Sequence, residues 1–179
     1  RDAKKYIEAN NLVKLFGEVL GASKLMGIVL QICLDKSSKR YRTGKRIALF
    51  GVDYCHEKLL DRTFRIKAGA FFQVNTKQAE RLYSIVKRHV ADAHVIYDLF
   101  CGTGSIGLCA VSDDQELYGI EVSPEAVASA KVNAELSGVK NASFVVKQAE
   151  RFDFESSKFK KADTIIVDPP RKGLDVALI

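Results

Sequence analysis

The chain has 179 residues, of which 47% are hydrophobic and 28% are charged, and its formal net charge is +6. This length and composition allow a packed core in one ordinary domain or two small ones, so intrinsic disorder is not expected. No apolar run approaches the roughly 18 residues of a membrane span, and no signal peptide begins the chain, which predicts a cytoplasmic protein. The basic excess is compatible with a polyanionic partner but does not identify one.

The four cysteines are too far apart in the sequence for a C-x-x-C metal pattern, and no metal site is predicted. Without a secretory context they are expected as reduced thiols. They are Cys33, Cys55, Cys101 and Cys109.

Residues 1–68 predict a small α/β region. Residues 2–19 mix apolar and charged side chains as a partly buried helix does. Strands are predicted at residues 27–34, 46–50 and 63–67.

A basic stretch, residues 35–46, separates the first two of these strands. It contains Arg40, Tyr41 and Arg42. Two interpretations stay open: a solvated hairpin loop, or an RNA-binding loop whose cations meet phosphates while Tyr41 stacks on a base.

A second region, residues 69–179, is predicted to begin at Gly69, after the last predicted strand of the first region. Residues 70–75 (Ala-Phe-Phe-Gln-Val-Asn) precede a helix that Asn75 is expected to cap. Gln73 is polar between apolar neighbours and is expected to face a cofactor pocket. The apolar positions of the helix have helical spacing and predict its buried stripe; they are Ala79, Leu82, Tyr83, Val86 and Val90.

The stretch 95–107 predicts a strand, a glycine turn and a helix, the unit that binds nucleotide-like cofactors. The strand ends at Asp98, and Gly102 and Gly104 form the turn. With Gly107 they also fit the G-x-G-x-x-G pattern of dinucleotide sites. Asp98 argues against a dinucleotide, because a carboxylate there repels a pyrophosphate by roughly 1 kcal/mol or more.

S-adenosylmethionine suits this turn better, since it has no phosphate and carries an ammonium and a sulfonium. One alternative stays open: Asp98 simply hydrogen-bonds N–H groups of its own turn.

Two later strands are also predicted to end in carboxylates. Glu121 closes the strand Glu116–Glu121 and lies 23 residues after Asp98, close to the roughly 20-residue spacing at which an acid meets ribose hydroxyls. Residues 162–167 form another strand and lead into Asp168-Pro-Pro-Arg-Lys-Gly. The two prolines make a rigid turn that holds Asp168 at the sheet edge.

Further signals complete the pattern. Arg171 and Lys172 follow the prolines and are within reach of a phosphate. Gln148 follows the predicted strand Ala142–Val146 and either contacts the adenine or is an exposed loop residue.

Ser123 is expected to cap a helix whose inner stripe is Val127, Ala130 and Ala134. The alternation of strands and helices predicts a parallel sheet with helices on both faces.

These motifs resemble those of the RNA uracil-C5 methyltransferases, class I S-adenosylmethionine-dependent enzymes that make 5-methyluridine in tRNA or rRNA. The matching stretches are residues 69–75, 98–104, 118–121 and 168–174. The resemblance implies an α/β class I methyltransferase fold, a Rossmann-like parallel sheet truncated after its fourth strand and preceded by the small α/β region. It also implies an S-adenosylmethionine cofactor and an RNA partner.

Matching the family's motifs onto this chain implies specific cofactor contacts. Glu121 would hold the ribose hydroxyls, Phe100 would line the pocket and Asp168 would lie near the methyl-transfer locus. Ser105 and Gln148 stand where family members often have Asn. The implied contacts are Gln73, Phe100, Ser105, Glu121, Gln148 and Asp168.

In the family, a cysteine thiolate adds to uracil C6, the activated C5 takes the methyl group, and a glutamate removes the C5 proton. The stretches that carry this cysteine and glutamate are not found here. We therefore expect a piece of a longer protein whose nucleophile lies beyond Ile179. Cys101, inside the glycine turn, is expected to be a packing residue. The strand at residues 164–167 is expected to form an apolar sheet edge.

Two rival functions remain. One is another class I RNA base methyltransferase, acting on cytosine C5 or guanine N2. The other is a non-catalytic RNA-binding module that uses the basic stretch 35–46.

Overall fold

The structure, a computed structural model, describes residues 9–32, 45–155, 159–174 and 176–178. The chain divides into two compact units. One takes in the described residues up to Cys55 together with Lys67–Gly69, and the other takes in His56–Ile66 and the described residues from Ala70 onward. The domain boundary after residue 68 stays a prediction. Within the described ranges, no helix is long and apolar enough to cross a bilayer.

The first unit contains helix α1 (Ala9–Leu20) and two antiparallel strands, β1 (Gly27–Ile32) and β2 (Lys45–Gly51). The pairing shifts register between Ile28 and Val29, as at a β-bulge. The candidate RNA-binding residues Arg40, Tyr41 and Arg42 lie outside the described residues.

A hairpin follows, built from β3 (Tyr54–Leu59) and β4 (Arg62–Lys67). The sequence did not predict β3, because its central residues are polar and exposed and leave no alternating apolar signal. Leu59 and Phe64 are fully buried and belong to the main hydrophobic core. This core contact accounts for the place of residues 56–66 of the hairpin in the second unit.

The second unit is a parallel four-stranded sheet with helices in the connections. The strand order is β7-β6-β5-β8, so the strand before the glycine turn is central. Its elements are α2 (Thr76–His89), β5 (Val95–Leu99), α3 (Ser105–Ala110), β6 (Glu116–Glu121), α4 (Pro124–Leu136), β7 (Ala142–Val146) and β8 (Thr164–Val167). This arrangement confirms the predicted class I methyltransferase fold.

Strand β5 is buried along its whole length, as a central parallel strand should be. Strand β8 occupies one edge of the sheet that the described residues form, and Ile165 and Val167 on it are 49% and 40% exposed. The predicted apolar edge is therefore present.

Both helix caps predicted around the sheet are present. Asn75 accepts a hydrogen bond from the backbone of Gln78 at 3.2 Å, and Ser123 accepts one from Ala126 at 3.3 Å. The predicted inner stripe of α4 (Val127, Ala130, Ala134) is buried.

The predicted stripe of α2 needs one correction. Ala79, Tyr83 and Val90 are buried, but Leu82 is 51% exposed. Residues spaced i, i+4, i+7 and i+11 already fill the helix face that packs on the core, and Leu82 lies beside that face.

Candidate cofactor site

The carboxyl ends of three neighbouring strands bring the predicted acidic residues to one edge. Leu99 on β5 pairs with Ile120 on β6 and with Val167 on β8. Because the strands are parallel, Glu121 and Asp168 come next along the chain at the level where β5 leads into its glycine turn. The sequence predicted this convergence from strand-end carboxylates alone.

Asp98 is fully buried beneath the glycine turn. Its Oδ2 accepts a hydrogen bond from the backbone N–H of Gly107 at 3.1 Å, while its Oδ1 has no partner among the described residues. The pKa of the Asp98 carboxyl is raised to about 7. Burial is the main cause, the hydrogen bond from Gly107 opposes it, and the negative charges of Asp168 and Glu121 add to it. Asp98 therefore hydrogen-bonds an N–H group that follows its own turn, as one of the two interpretations predicted. Its other oxygen, Oδ1, is left without a partner among the described residues.

Glu121 ties the glycine turn to the start of α4. One carboxylate oxygen accepts a hydrogen bond from the Gly102 backbone at 3.1 Å, and the other accepts one from the Ser123 backbone at 2.8 Å. Each oxygen keeps a further lone pair for a ligand hydroxyl. The carboxylate is therefore held in one orientation before any ligand arrives.

The turn itself uses left-handed backbone at Phe100, Gly102 and Gly104, with φ of 63°, 55° and 80°. A side chain added at Gly102 would meet no atom within 4 Å, so the space in front of this backbone is open. At Gly104 a Cβ would come within 3.1–3.3 Å of Leu108, Phe144 and Ala130, so this glycine serves close packing. The turn thus presents bare backbone to open space on one side.

Ser105 begins α3, and its hydroxyl lies 3.2 Å from the Tyr83 hydroxyl on α2. Tyr83 is only 1% exposed. Burial raises its pKa; the Ser105 bond opposes this, while the charges of Cys109, Asp168 and Asp98 add to it. Because Ser105 directly follows the glycine turn, this hydroxyl pair lies next to the turn.

The remaining predicted residues occupy less enclosed positions. Asp168 is exposed directly after β8. Arg171 and Lys172 are exposed in a turn that the Gly173 N–H closes on the Pro170 carbonyl at 2.8 Å. They follow Asp168 by three and four residues, and their predicted phosphate contact stays a prediction.

Gln73 is partly buried just before α2. Gln148 is exposed and precedes a short 3₁₀ turn, Ala149–Arg151. Gln148 follows β7, whose Val146 pairs with Glu121, so it lies at the same edge. Neither side chain has a hydrogen bond within the described part of the chain, and both cofactor contacts stay predictions.

Two residues that support the site escaped the sequence reasoning. Tyr83 was assigned only to the core. Asn133 is 1% exposed on α4; its side-chain amide donates to the Thr103 carbonyl at 3.1 Å, and its oxygen accepts from the Arg65 backbone at 2.8 Å. A polar residue on the buried stripe of a helix is the signal that points to such a role.

The buried cysteines do not have the character of nucleophiles. Burial raises the pKa of the Cys101 thiol, with Asp98 and Glu121 adding to the effect. Burial also raises the pKa of Cys109 to about 12. Both stay protonated at neutral pH, which agrees with the expected packing role of Cys101.

Residues 91–171 match the family described as "Methyltransferase domain". An uncharacterised RNA methyltransferase of Clostridium acetobutylicum is 37% identical over 97% of this chain and 36% of its own length. Another, from Caldanaerobacter subterraneus, is 39% identical over 93% of this chain and 37% of its own length. The chain therefore spans little more than a third of these relatives.

Among solved structures, the chain is similar to the tRNA (uracil-54, C5)-methyltransferase of Pyrococcus abyssi, determined in complex with S-adenosyl-L-homocysteine. The TM-score is 0.74, with 29% identity over 87% of this chain and 37% of that chain. These similarities to methyltransferases agree with the glycine turn and the strand-end acids described above. The second unit therefore has the fold of a class I methyltransferase domain, and the matched family together with the S-adenosyl-L-homocysteine of the Pyrococcus abyssi enzyme implies S-adenosylmethionine as the cofactor.

Proposed function

We propose that this chain supplies the cofactor-binding half of an enzyme that methylates C5 of a uridine in tRNA or rRNA. The observation that carries the cofactor assignment is the strand register, which brings Asp98, Glu121 and Asp168 to the sheet edge where the glycine turn begins. Negatively charged carboxylates at this edge repel the phosphates of a dinucleotide and attract a cationic ligand, whose charge would also favour the ionised form of Asp98. S-adenosylmethionine is such a ligand and supplies an electrophilic methyl group when bound.

The residues present fit this cofactor. Glu121 has free lone pairs for the ribose hydroxyls, and Asp98 has one unpartnered oxygen to which a cationic amino group would be attracted. The open space before Gly102 lets a ligand approach the backbone closely. Phe100, Ser105, Gln73 and Gln148 are proposed to complete the pocket.

The uridine assignment rests on the Asp168-Pro-Pro-Arg motif and on similarity to the uracil-C5 enzyme from Pyrococcus abyssi. The cytosine-C5, guanine-N2 and purely RNA-binding alternatives have no comparable support. Cys101 and Cys109 are buried and protonated, and Cys55, which is exposed on β3, belongs to the first compact unit and not to the unit that contains the glycine turn. We therefore propose that the nucleophilic cysteine lies outside the described residues. Reduced thiols fit a cytoplasmic enzyme.

Calorimetric titration with S-adenosylhomocysteine and, separately, NADH tests the cofactor assignment. We expect saturable binding of the first ligand alone. Replacing Glu121→Ala should weaken binding by about 1–3 kcal/mol, the contribution of a charged hydrogen bond. Glu135→Ala, an exposed acid on α4, is the matched control and should leave affinity unchanged. Binding of NADH, or equal effects of both variants, would contradict the assignment.

A second experiment tests the target atom with the full-length protein. RNA labelled with tritium at uracil C5 should release tritium when S-adenosylmethionine is added, since methylation replaces the C5 hydrogen. Methyl incorporation without tritium release would exclude uracil C5 while leaving the cofactor assignment intact.

A further inference from the structure

Helix α2 presents a row of cations on the face opposite its buried stripe. Lys77, Arg81 and Arg88 are exposed, and with Ser84 they follow the spacing i, i+4, i+7, i+11 that keeps residues on one side of a helix. The row extends about 17 Å along the helix axis. We call these three cations the α2 basic row.

Among the residues that the structure describes, no acidic side chain forms an ion pair with this row. The helix has four Lys and Arg residues and one acid, Glu80. Glu80 is already engaged, because its carboxylate accepts a hydrogen bond from the Leu60 backbone at 2.8 Å. Lys77, Arg81 and Arg88 make no ion pair or hydrogen bond through their side chains within the described part of the chain. Helix α4 is different, with two acids and one lysine.

A shallow groove adjoins the C-terminal end of the row, where α2 meets the hairpin turn. Its acid, Asp61, lies 4.0 Å from the Arg62 guanidinium, which offsets its charge. The groove is lined by Leu60, Asp61, Ser84, Lys87, Arg88 and Ala91.

The row is also connected to the candidate cofactor site. It begins at Lys77, four residues after Gln73, and the opposite face of the same helix carries the Tyr83 hydroxyl that contacts Ser105. A polyanion lying along the row would therefore have one end near the sheet edge where methyl transfer is proposed.

We propose that the α2 basic row binds the phosphate backbone of the substrate RNA. Along the helix axis the cations are separated by about 6 Å from Lys77 to Arg81 and by about 10 Å from Arg81 to Arg88. Long, flexible side chains at these separations can reach neighbouring phosphates of one strand, and they hold RNA without reading its sequence. The proposal rests on the proposed function for its RNA partner. It adds a positioning surface distinct from the cofactor site and from the basic stretch 35–46.

The test measures RNA affinity as a function of salt concentration, using a 24-nucleotide RNA hairpin with a uridine-rich loop and the full chain. The triple variant Lys77→Gln, Arg81→Gln, Arg88→Gln is compared with a triple variant of equal charge, Lys131→Gln, Lys140→Gln, Lys147→Gln, whose lysines are exposed elsewhere. Only the α2 variant should lower the slope of log K against log salt, by about 2 to 3 for three lost phosphate contacts.

Several outcomes would overturn the proposal: no RNA binding by the wild type, an unchanged slope, or equal losses in both triple variants. A change in sedimentation behaviour of the α2 variant without RNA would instead indicate a contact between copies of the chain, and would also overturn it.

Two further measurements separate the possible causes of failure. S-adenosylhomocysteine affinity should be unchanged in the α2 variant, so this titration tests the cofactor site independently of the RNA surface. If the triple variant does not fold, Arg81→Gln alone should lower the slope by about 1.

Discussion

The Tyr83 hydroxyl lies 3.2 Å from the Ser105 hydroxyl, so the buried face of α2 contacts the first residue of the helix that follows the glycine turn. Ser105 is one of the residues expected to contact the cofactor. The family motifs predict no cofactor contact for Tyr83, yet its buried side chain holds the Ser105 hydroxyl in position. This hydrogen bond is one of the contacts that join the core of the domain to its candidate site.

Replacing Tyr83→Phe should lower the free energy of unfolding by about 1 kcal/mol and weaken S-adenosylhomocysteine binding a few-fold, because a buried hydrogen bond is lost and Ser105 is released. Calorimetry on Tyr83→Phe, Ser105→Ala and the double variant measures the coupling. Tyr118→Phe is the control, since its hydroxyl donates to Glu116 away from the turn. Strictly additive effects of the two substitutions would show that the pair does not act together.

Gly119→Ala should destabilise the protein by about 1–3 kcal/mol, a typical cost of overpacking a core. A Cβ at this position would lie 2.3 Å from a ring carbon of Phe144 and 2.9 Å from the Cys101 sulfur. Thermal unfolding measures the loss. Gly17→Ala in α1 is the matched control, because the nearest atoms to its Cβ are 4.0 Å away, and it should stabilise the helix slightly. An unchanged melting temperature for Gly119→Ala would contradict the packing described.

Asp98 should make stability depend on pH. Its folded pKa, about 7, lies above its ordinary value of 3.8, so the folded state holds a proton that the unfolded state releases. This contribution to stability is fully present below about pH 4 and is lost as the pH rises through 7. Asp98→Asn removes the titration, so its stability relative to the wild type should rise between about pH 4 and pH 7 and level off above that.

Urea unfolding of both proteins at several pH values checks this expectation. Parallel pH profiles would show that Asp98 is not the group responsible. Glu135→Ala serves again as an exposed-acid control.

Arg62→Met should destabilise the second unit by about 2 kcal/mol. The buried guanidinium donates to the Ser137 carbonyl at 2.7 Å and to the Val111 carbonyl at 3.3 Å, and both bonds would be lost. Lys58→Met, on the exposed part of β3, is the control. Equal urea midpoints for the two variants would mean that the hairpin is not held by Arg62.

The sequence by itself determined the sheet, the glycine turn and the acids at the strand ends. These features are encoded locally: continuous apolar runs specify β5 and β6, Asn75 and Ser123 specify helix starts, and Asp98, Glu121 and Asp168 follow their strands directly. Parallel pairing then brings the ends of such strands to one edge, whatever the details of packing.

Only the tertiary structure decided which residues support that edge. The Tyr83–Ser105 contact spans 22 residues and the Asn133–Thr103 contact spans 30, and no local pattern records partners so far apart in the chain. Strand β3 escaped prediction because its polar residues form a strand only by pairing with β4. The prediction that Leu82 lies in the core was wrong. Helical spacing indicates which side of the helix is buried, but the elements packed against the helix determine how wide the buried face is.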